Sequence, residues 1–340
     1  MVADRFRMSA VKQTWRQKST APVCQRPGAA LLWNVAALTD PLHCPDPQAS
    51  RRWAYGRRML QERDWDAARD LFEQALEHAP DFAPAWADLG QALAALGDPA
   101  GAGRAFGEAL RLDPADRMGA GALLGLTRGE TAPELSPAYV ARLFDDYAAR
   151  FEGHLLDELH YDGPGLIGEA LERHAAGRTF AAAVDLGCGT GLAGPVLRPR
   201  AARLEGVDLS AKMVGEARKR GIYDALWVED VTAFLRRAAP GAFDCLAAAD
   251  VFLYLGDLAP PFAAGFAAMK PGGLFVFTLE RLADGDGLRL GEAMRFQHSE
   301  AYVERTARAA GLEVLSVDAR SCRTERGAPV AGMLWALGRA

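Results

Sequence analysis

The run Val184-Asp185-Leu186-Gly187-Cys188-Gly189-Thr190-Gly191 constrains the fold more than any other part of the chain. Ala183 to Leu186 reads as a buried strand. Three glycines at alternate positions follow and turn the backbone, and Leu192 to Leu197 continues as a short helix. A strand, a glycine-rich turn and a helix open a βαβ unit. Asp208 closes the next strand, 17 residues after Gly191. A carboxylate at that place accepts the hydroxyls of a ribose.

Strands and helices alternate from there to the end of the chain. Further strands are expected at Leu204–Asp208, Ala225–Val228, Phe243–Ala249, Leu274–Leu279, Glu313–Asp318 and Gly332–Leu337. Helices are expected at Ala211–Arg220, Val231–Arg237, Leu258–Met269 and Glu300–Ala310. The pattern is that of an α/β, doubly wound Rossmann-like sheet that binds its ligand at the carboxyl ends of the strands. A dinucleotide loop wants a third glycine where this chain has Leu192. Asp185 also sets a negative charge beside the loop, which repels a pyrophosphate and attracts a cation. A nicotinamide cofactor therefore fits poorly. S-adenosylmethionine, with an ammonium, a sulfonium and no phosphate, fits well.

The segments VDLGCGTGLAG, GVDLSAKMVGEA, VEDV, FDCLAAADVFLYLGDL and MKPGGLFVFTLE together resemble the class I S-adenosylmethionine-dependent methyltransferases, from about Tyr139 to Ala340. The resemblance implies roles. Gly187, Gly189 and Gly191 let the backbone approach the cofactor. Asp185 holds its amino group, directly or through water. Asp208 takes the ribose hydroxyls, Met213 packs on the adenine and Asp230 accepts the adenine amino group. Asp250, at the end of the fourth strand, borders the methionine portion and the acceptor. Some residues of these segments have a plainer reading as well: Met213 as core, Asp230 as a turn acid, Ser210 as a helix cap, Cys188 as a small buried residue and Lys270 to Gly273 as a turn before the fifth strand without chemistry. The Asn-Pro-Pro-Tyr type of motif is absent after the fourth strand, where AADVFLYL stands. This favours a small-molecule or protein side-chain acceptor over a nucleic-acid base.

A second pattern lies upstream. Shifted by 34 residues, Gly56 falls on Gly90, Asp64 on Asp98, Ala68 on Ala102, Phe72 on Phe106, Ala75-Leu76 on Ala109-Leu110 and Pro80 on Pro114. The pattern resembles the tetratricopeptide repeat. It implies two antiparallel helix pairs, with Met118–Leu126 as a capping helix over the apolar end of the array. The expected division is an extension over 1–50, repeats over 51–129 and a methyltransferase domain over 137–340. Thr127 to Pro137, with two prolines and a glycine, reads as the linker. Tyr139 to Leu159 reads as one amphipathic helix. The repeats imply a protein partner or self-association. A methyltransferase-fold chain that is inactive and serves as an interaction module is the alternative.

The net charge of −5 offers no broad basic stripe for nucleic acid. No apolar run reaches the roughly 18 residues of a membrane span, so no membrane partner is expected. The five cysteines form no C-x-x-C pair. Neither a metal site nor a disulfide framework is expected, and a reducing, cytoplasmic setting suits them. Residues 1–50 are basic, rich in Pro, Ser and Gln and without helical periodicity, and are expected to be disordered or a leader. For a general base, the expectation is His298 in RFQHSEAY, with a helix-capping role beside Ser299 as its rival. His154, His160 and Tyr254 are the other titratable candidates.

Overall fold

The computed structural model describes residues 42–155, 159–291, 293–325 and 327–340. Most of the expected extension lies outside the described residues. Its last residues belong to a helix instead: Asp46 accepts the N–H groups of Gln48 and Ala49 and caps α1, Pro47–Glu62.

Four more helices complete the first part of the chain: α2 (Trp65–His78), α3 (Ala83–Ala95), α4 (Pro99–Leu112) and α5 (Ala120–Thr127). The 34-residue shift holds in three dimensions. A Cβ on Gly56 would lie 2.5 Å from the Phe72 ring, and one on Gly90 would lie 2.5 Å from the Phe106 ring. Each glycine lets the second helix of its pair approach the first. Asp64 and Asp98 cap α2 and α4 by accepting the N–H of Ala67 and Gly101. Gly97 takes φ +80°, which supplies the turn between α3 and α4. α5 lies at the end of the array, where Ala120 and Leu123 pack with Phe106 and Ala109.

The expected single helix from Tyr139 to Leu159 breaks. It forms α6 (Pro137–Tyr147), a 3-10 turn at Ala148–Arg150 and the short turn α7 (Phe151–Gly153). After α8 (Gly163–Ala175) come β1 (Phe180–Leu186), α9 (Gly194–Leu197), β2 (Ala201–Asp208), α10 (Ala211–Lys219), β3 (Ala225–Val228), α11 (Val231–Arg237) and β4 (Phe243–Ala248). The chain ends with α12 (Ala259–Ala268), β5 (Met269–Arg281), β6 (Leu288–Leu290), β7 (Phe296–His298), α13 (Glu300–Ala309), β8 (Glu313–Arg320), β9 (Thr324–Glu325), β10 (Ala328–Pro329) and β11 (Gly332–Gly338).

Among the described residues the main path of the large sheet runs β3-β2-β1-β4-β5-β11-β8. β1 to β5 pair in parallel, and β11 lies antiparallel between β5 and β8. The order reverses at β1 and β4, the crevice where such sheets bind ligands. Both faces are covered. Ala182, Val184 and Leu186 of β1 join the core with Phe234, Phe262 and Val303. Phe180 and Ala183 join the opposite core with Ile167 and Leu171 of α8. Two-sided burial explains why β1 is apolar without alternation.

Three features depart from the sequence reading. Lys270 to Gly273 is not a turn ahead of the fifth strand but an irregular start of β5, where the pairing moves from Phe243–Met269 to Cys245–Leu274. The β6–β7 and β9–β10 pairs carry little apolar periodicity and were not anticipated. The segment 127–137 is pinned instead of loose. Leu135 is buried, Thr131 accepts the N–H of Leu290, and the Ser136 hydroxyl donates to the Asp116 carbonyl. Ala122, Leu135, Val140, Leu290 and Phe296 form one apolar cluster, so α5, the connecting segment, α6 and the β6–β7 pair share a core.

Candidate functional site

The carboxyl ends of β1, β2, β3 and β4 deliver Gly187, Asp208, Asp230 and Asp250 to one cavity of about 860 Å3. That volume lies at the upper end of ordinary ligand pockets.

The loop after β1 depends on its glycines. Gly187, Gly189 and Gly191 take φ of +64°, +53° and +89°. A Cβ on Gly187 would lie 2.4 Å from the Val251 side chain. Asp208 holds the loop from the side, since its two carboxylate oxygens accept the N–H of Gly189 at 2.9 Å and of Ser210 at 2.8 Å. Burial raises its pKa despite those two hydrogen bonds. Ser210 is the cap of α10, its Oγ accepting from Met213 N while donating to Asp145 of α6.

Asp185 sits deeper. Its neighbours across the sheet are Gly206 and Ala247. It lines a small cleft beside the main cavity together with Gly187, Cys188 and Gly189. The Tyr223 hydroxyl donates to it at 2.6 Å. Gly206 makes this possible, because a Cβ there would lie 3.1 Å from the Tyr223 ring. Burial, with some repulsion from Asp208, pushes Asp185 up to about 7. Burial thus disfavours the ionised form of this carboxyl. Burial likewise raises the Cys188 thiol well above its ordinary value, consistent with an inert small residue.

Asp230 lines the cavity and caps α11 through the N–H of Ala233. Met213 does not line the cavity. It is fully buried behind the loop, and Leu209, next to Asp208, is the apolar side chain that faces inward. The plainer reading of Met213 as core describes its position.

Asp250 has φ +55°, a left-handed conformation that costs a residue with a side chain about 1 kcal/mol or more. Two contacts hold it there. Thr278 Oγ1 accepts its N–H and donates to its Oδ1, and Arg323 donates to its Oδ2 at 2.6 Å. Arg323 is only 7% exposed and also pairs with Glu280 and Glu325. Burial works against its charge, but Asp250 and Glu280 outweigh it and hold its pKa above the ordinary value. Arg295 adds contacts to Glu280 at 2.7 Å and Glu325 at 2.5 Å. No spacing in the sequence pointed to this network, which joins β5, the segment before β7, and β9 from distant parts of the chain.

His298 is not part of the cavity wall. It is fully buried, its ring packs at 5.7 Å on Tyr302, and its Nε2 lies 2.9 Å from the Gly256 carbonyl. Burial pushes it down to about 4. The neutral ring donates Nε2–H to Gly256, so His298 is a packing residue, and Ser299 caps α13 beside it by accepting Tyr302 N. The sequence placed a histidine correctly beside the cap but could not show which way it faced. His154 does line the cavity, with the Tyr147 hydroxyl against its Nδ1. Tyr254 lines it too, its hydroxyl raised by burial. His160 lies outside the wall, near Thr324.

Among the described residues no group of His, Cys, Asp and Glu is arranged to hold a metal ion. No helix among them is long and apolar enough to cross a membrane.

Residues 184–277 match a methyltransferase domain family, and residues 59–124 match a tetratricopeptide repeat family. The malonyl-[acyl-carrier protein] O-methyltransferase of Salmonella typhimurium is 28% identical over 139 residues, 41% of this chain and 52% of that protein. The ubiquinone biosynthesis O-methyltransferase of Chromobacterium violaceum is 31% identical over 123 residues, 33% of this chain and 50% of that protein. The chain spans about half the length of these curated relatives. Among solved structures, the [4+2]-cyclase SpnF superposes with a TM-score of 0.51 at 18% identity, over 62% of this chain and 98% of that one. That likeness shows the fold.

Proposed function

From a chain that carries a methyltransferase domain behind tetratricopeptide repeats, we propose an S-adenosylmethionine-dependent methyltransferase acting on an oxygen of a small molecule. One observation carries the reading: the cavity places a glycine loop of positive φ, Asp208 and Asp250 around one space, with Asp185 in the cleft beside it. A cation bound beside Asp185 would favour its ionised form, and Asp208, which lines the cavity, would meet a ribose. Bound S-adenosylmethionine would supply an activated methyl on a sulfonium, with the thioether as leaving group and one proton to be lost from the acceptor hydroxyl.

The residues of the chain do the rest. Asp208 and the loop backbone fix the nucleoside end. Arg323 and Thr278 hold Asp250 and the backbone around it in place. Phe144, Phe151 and Tyr254 form a packed aromatic wall that keeps water from the transfer path. The proton has two acceptors in reach, bulk water at the mouth and the His154 ring, which takes over the base role that His298 cannot fill. Alignment supplies most of the acceleration in such a displacement.

A fold shared with a cyclase does not settle the reaction, so the test measures binding and transfer separately. Calorimetry of the full chain with S-adenosylhomocysteine and with NAD should show binding of the first alone. Labelled methyl should then pass from S-adenosylmethionine to hydroxyl-bearing acceptors in a small-molecule panel. Tight binding without transfer to any acceptor would favour the inactive interaction module, and binding of NAD instead would sink the cofactor assignment.

A further inference from the structure

Four of the chain's seven tyrosines, Tyr139, Tyr147, Tyr161 and Tyr254, line the cavity. The Tyr147 hydroxyl is engaged with His154. Those of Tyr139, Tyr161 and Tyr254 make no hydrogen bond among the described residues. Away from the cavity wall, Tyr223 donates to Asp185 and Tyr302 to Asp257. A largely buried phenol ordinarily finds a partner within its own chain. Three that face one space without one point to a ligand. Burial raises the pKa of all three, so each is a neutral hydroxyl that can donate and accept.

Tyr161 stands at the joint of the site. It lines both the small cleft with Asp185 and the main cavity with Asp250. Its N–H donates to the Leu155 carbonyl, and the N–H of the next residue donates to Cys322. Gly163 leaves room for its hydroxyl, since a Cβ there would overlap it. Tyr254 faces the same space, and the rings beside it form a continuous edge-to-face run. Tyr254 meets Phe144 at 5.2 Å, Phe144 meets Phe151 at 6.1 Å and Phe151 meets Tyr147 at 5.2 Å.

The charges of the wall are matched within the chain. Arg323 binds Asp250 and Glu325, and Arg295 binds Glu325. Arg142 lies 3.5 Å from Asp146. Asp88 accepts from Trp53 and Gln91, with Arg57 3.9 Å away. Arg150 is exposed and lies over the Tyr147 ring. A charged acceptor would have to break one of these pairs and leave a partner unmatched. An uncharged ring disturbs none of them and gains aromatic contacts.

We propose that the acceptor of this cavity is an uncharged aromatic hydroxy compound, its ring against Phe144 and Tyr254 and its hydroxyl groups meeting those of Tyr161 and Tyr254. This rests on the methyl-transfer reading and narrows its acceptor to a phenol. A phenol loses its proton near pH 10, as the tyrosine side chain does. That suits a wall in which Asp250 is bound on both oxygens, by Thr278 and Arg323.

The test uses the full chain saturated with S-adenosylhomocysteine. Four probes of similar size are titrated: 4-butylphenol, 4-butylcyclohexanol, 4-butylbenzoate and 4-butylbenzylamine. The phenol is expected to bind about fivefold or more tighter than the alicyclic alcohol, and the two charged probes more weakly still. Phe144→Leu should bring the phenol and the alicyclic alcohol close to parity while affinity for S-adenosylhomocysteine is kept. Tyr161→Phe and Tyr254→Phe should each weaken the phenol by about threefold to tenfold. Both keep their rings, so their melting temperatures should stay at the wild-type value, which a merely structural role of the hydroxyls would not allow. Equal binding of the four probes, tighter binding of a charged one, no binding of any, or a preference untouched by all three variants would overturn the proposal. Failure of the wild type to bind S-adenosylhomocysteine is a separate result, which strikes the cofactor reading and this proposal with it.

Discussion

Replacing Asp185 by Asn asks whether the buried carboxyl is held in wait for a cation. In the structure its pKa is pushed up from 3.8 to about 7, mainly by burial. That interval corresponds to about 4 kcal/mol, at about 1.36 kcal/mol per pH unit. The sign follows from proton counting. Between pH 4 and pH 7 the folded chain retains a proton that the unfolded chain has lost, so stability contributed by this group falls as pH rises through that window. Asn is neutral throughout and can still accept the Tyr223 hydroxyl. The variant should match the wild type near pH 4 and gain on it until the curve levels off above about pH 7, with about 2 kcal/mol of the gain developing between pH 5 and pH 7. Thermal melts of both proteins at pH 5, 6, 7 and 8 read this directly. Binding gives the second reading. The ammonium of S-adenosylhomocysteine should lower the Asp185 pKa, so at pH 6.5 the wild type should release most of one proton on binding, measured by calorimetry in two buffers of different ionisation enthalpy. The Asn variant should release none and bind more weakly. A stability gap that does not change with pH, together with equal proton release, would refute the argument.

Other expectations are briefer. Asp208→Ala loses the acceptor for Gly189 and Ser210 N–H as well as the ribose contact, so affinity for S-adenosylhomocysteine should fall by about 10-fold to 100-fold; calorimetry giving equal affinity would remove Asp208 from the site. His298→Ala opens a void under Tyr302 and should cost about 2 kcal/mol or more in denaturation while cofactor affinity stays unchanged; a normal melt with lost turnover would return His298 to the mechanism. The wild-type His298, pushed down to about 4, binds a proton only on unfolding below pH 6.5, so its contribution to stability should drain away as pH falls from there toward 4. A chain beginning at Ser136 would bare Val140, Leu290 and Phe296; its melting temperature should lie well below that of the full chain, and an equal value would show that the repeats are independent.

What could be read in the sequence was whatever depends on local order. The glycine loop, Asp208 and Asp230 sit at strand ends, and a strand end is visible as an apolar run meeting a turn. The 34-residue shift was visible because each repeat must solve the same packing problem, with a glycine under a phenylalanine. Direction was not visible. Met213 and His298 both lie in correctly placed elements, but a residue on a helix or strand faces the cavity or the core according to tertiary packing. Arg323, Glu280 and Arg295 were invisible for a different reason. They meet across 43 residues or fewer, yet no periodicity links them, and each alone looks like an ordinary surface charge. The break after Tyr147 was hidden as well, since the apolar spacing continues through it while the backbone does not.

The shared core bears on what two repeats can do. An array this short has little interior of its own, and its open end must be covered. Here α5 covers one end, and α6 lies against the start of α5: a Cβ on Gly119 would lie 2.9 Å from the Tyr139 ring, and Arg142 reaches the Arg117 carbonyl. The β6–β7 pair then closes over α5 through Leu290 and Phe296. An open groove for a peptide needs its inward helices bare, yet α1 and α3 share their inward surface with a cavity that ends at the glycine loop. A long segment laid along the repeats would have to displace α6, and with it the Asp145 contact to Ser210 that steadies the first turn of α10. Occupancy of the groove and the geometry of the cofactor loop are therefore linked through one helix. A small acceptor that enters without moving α6 leaves that link intact, and this is the physical reason to look for the acceptor among small molecules first.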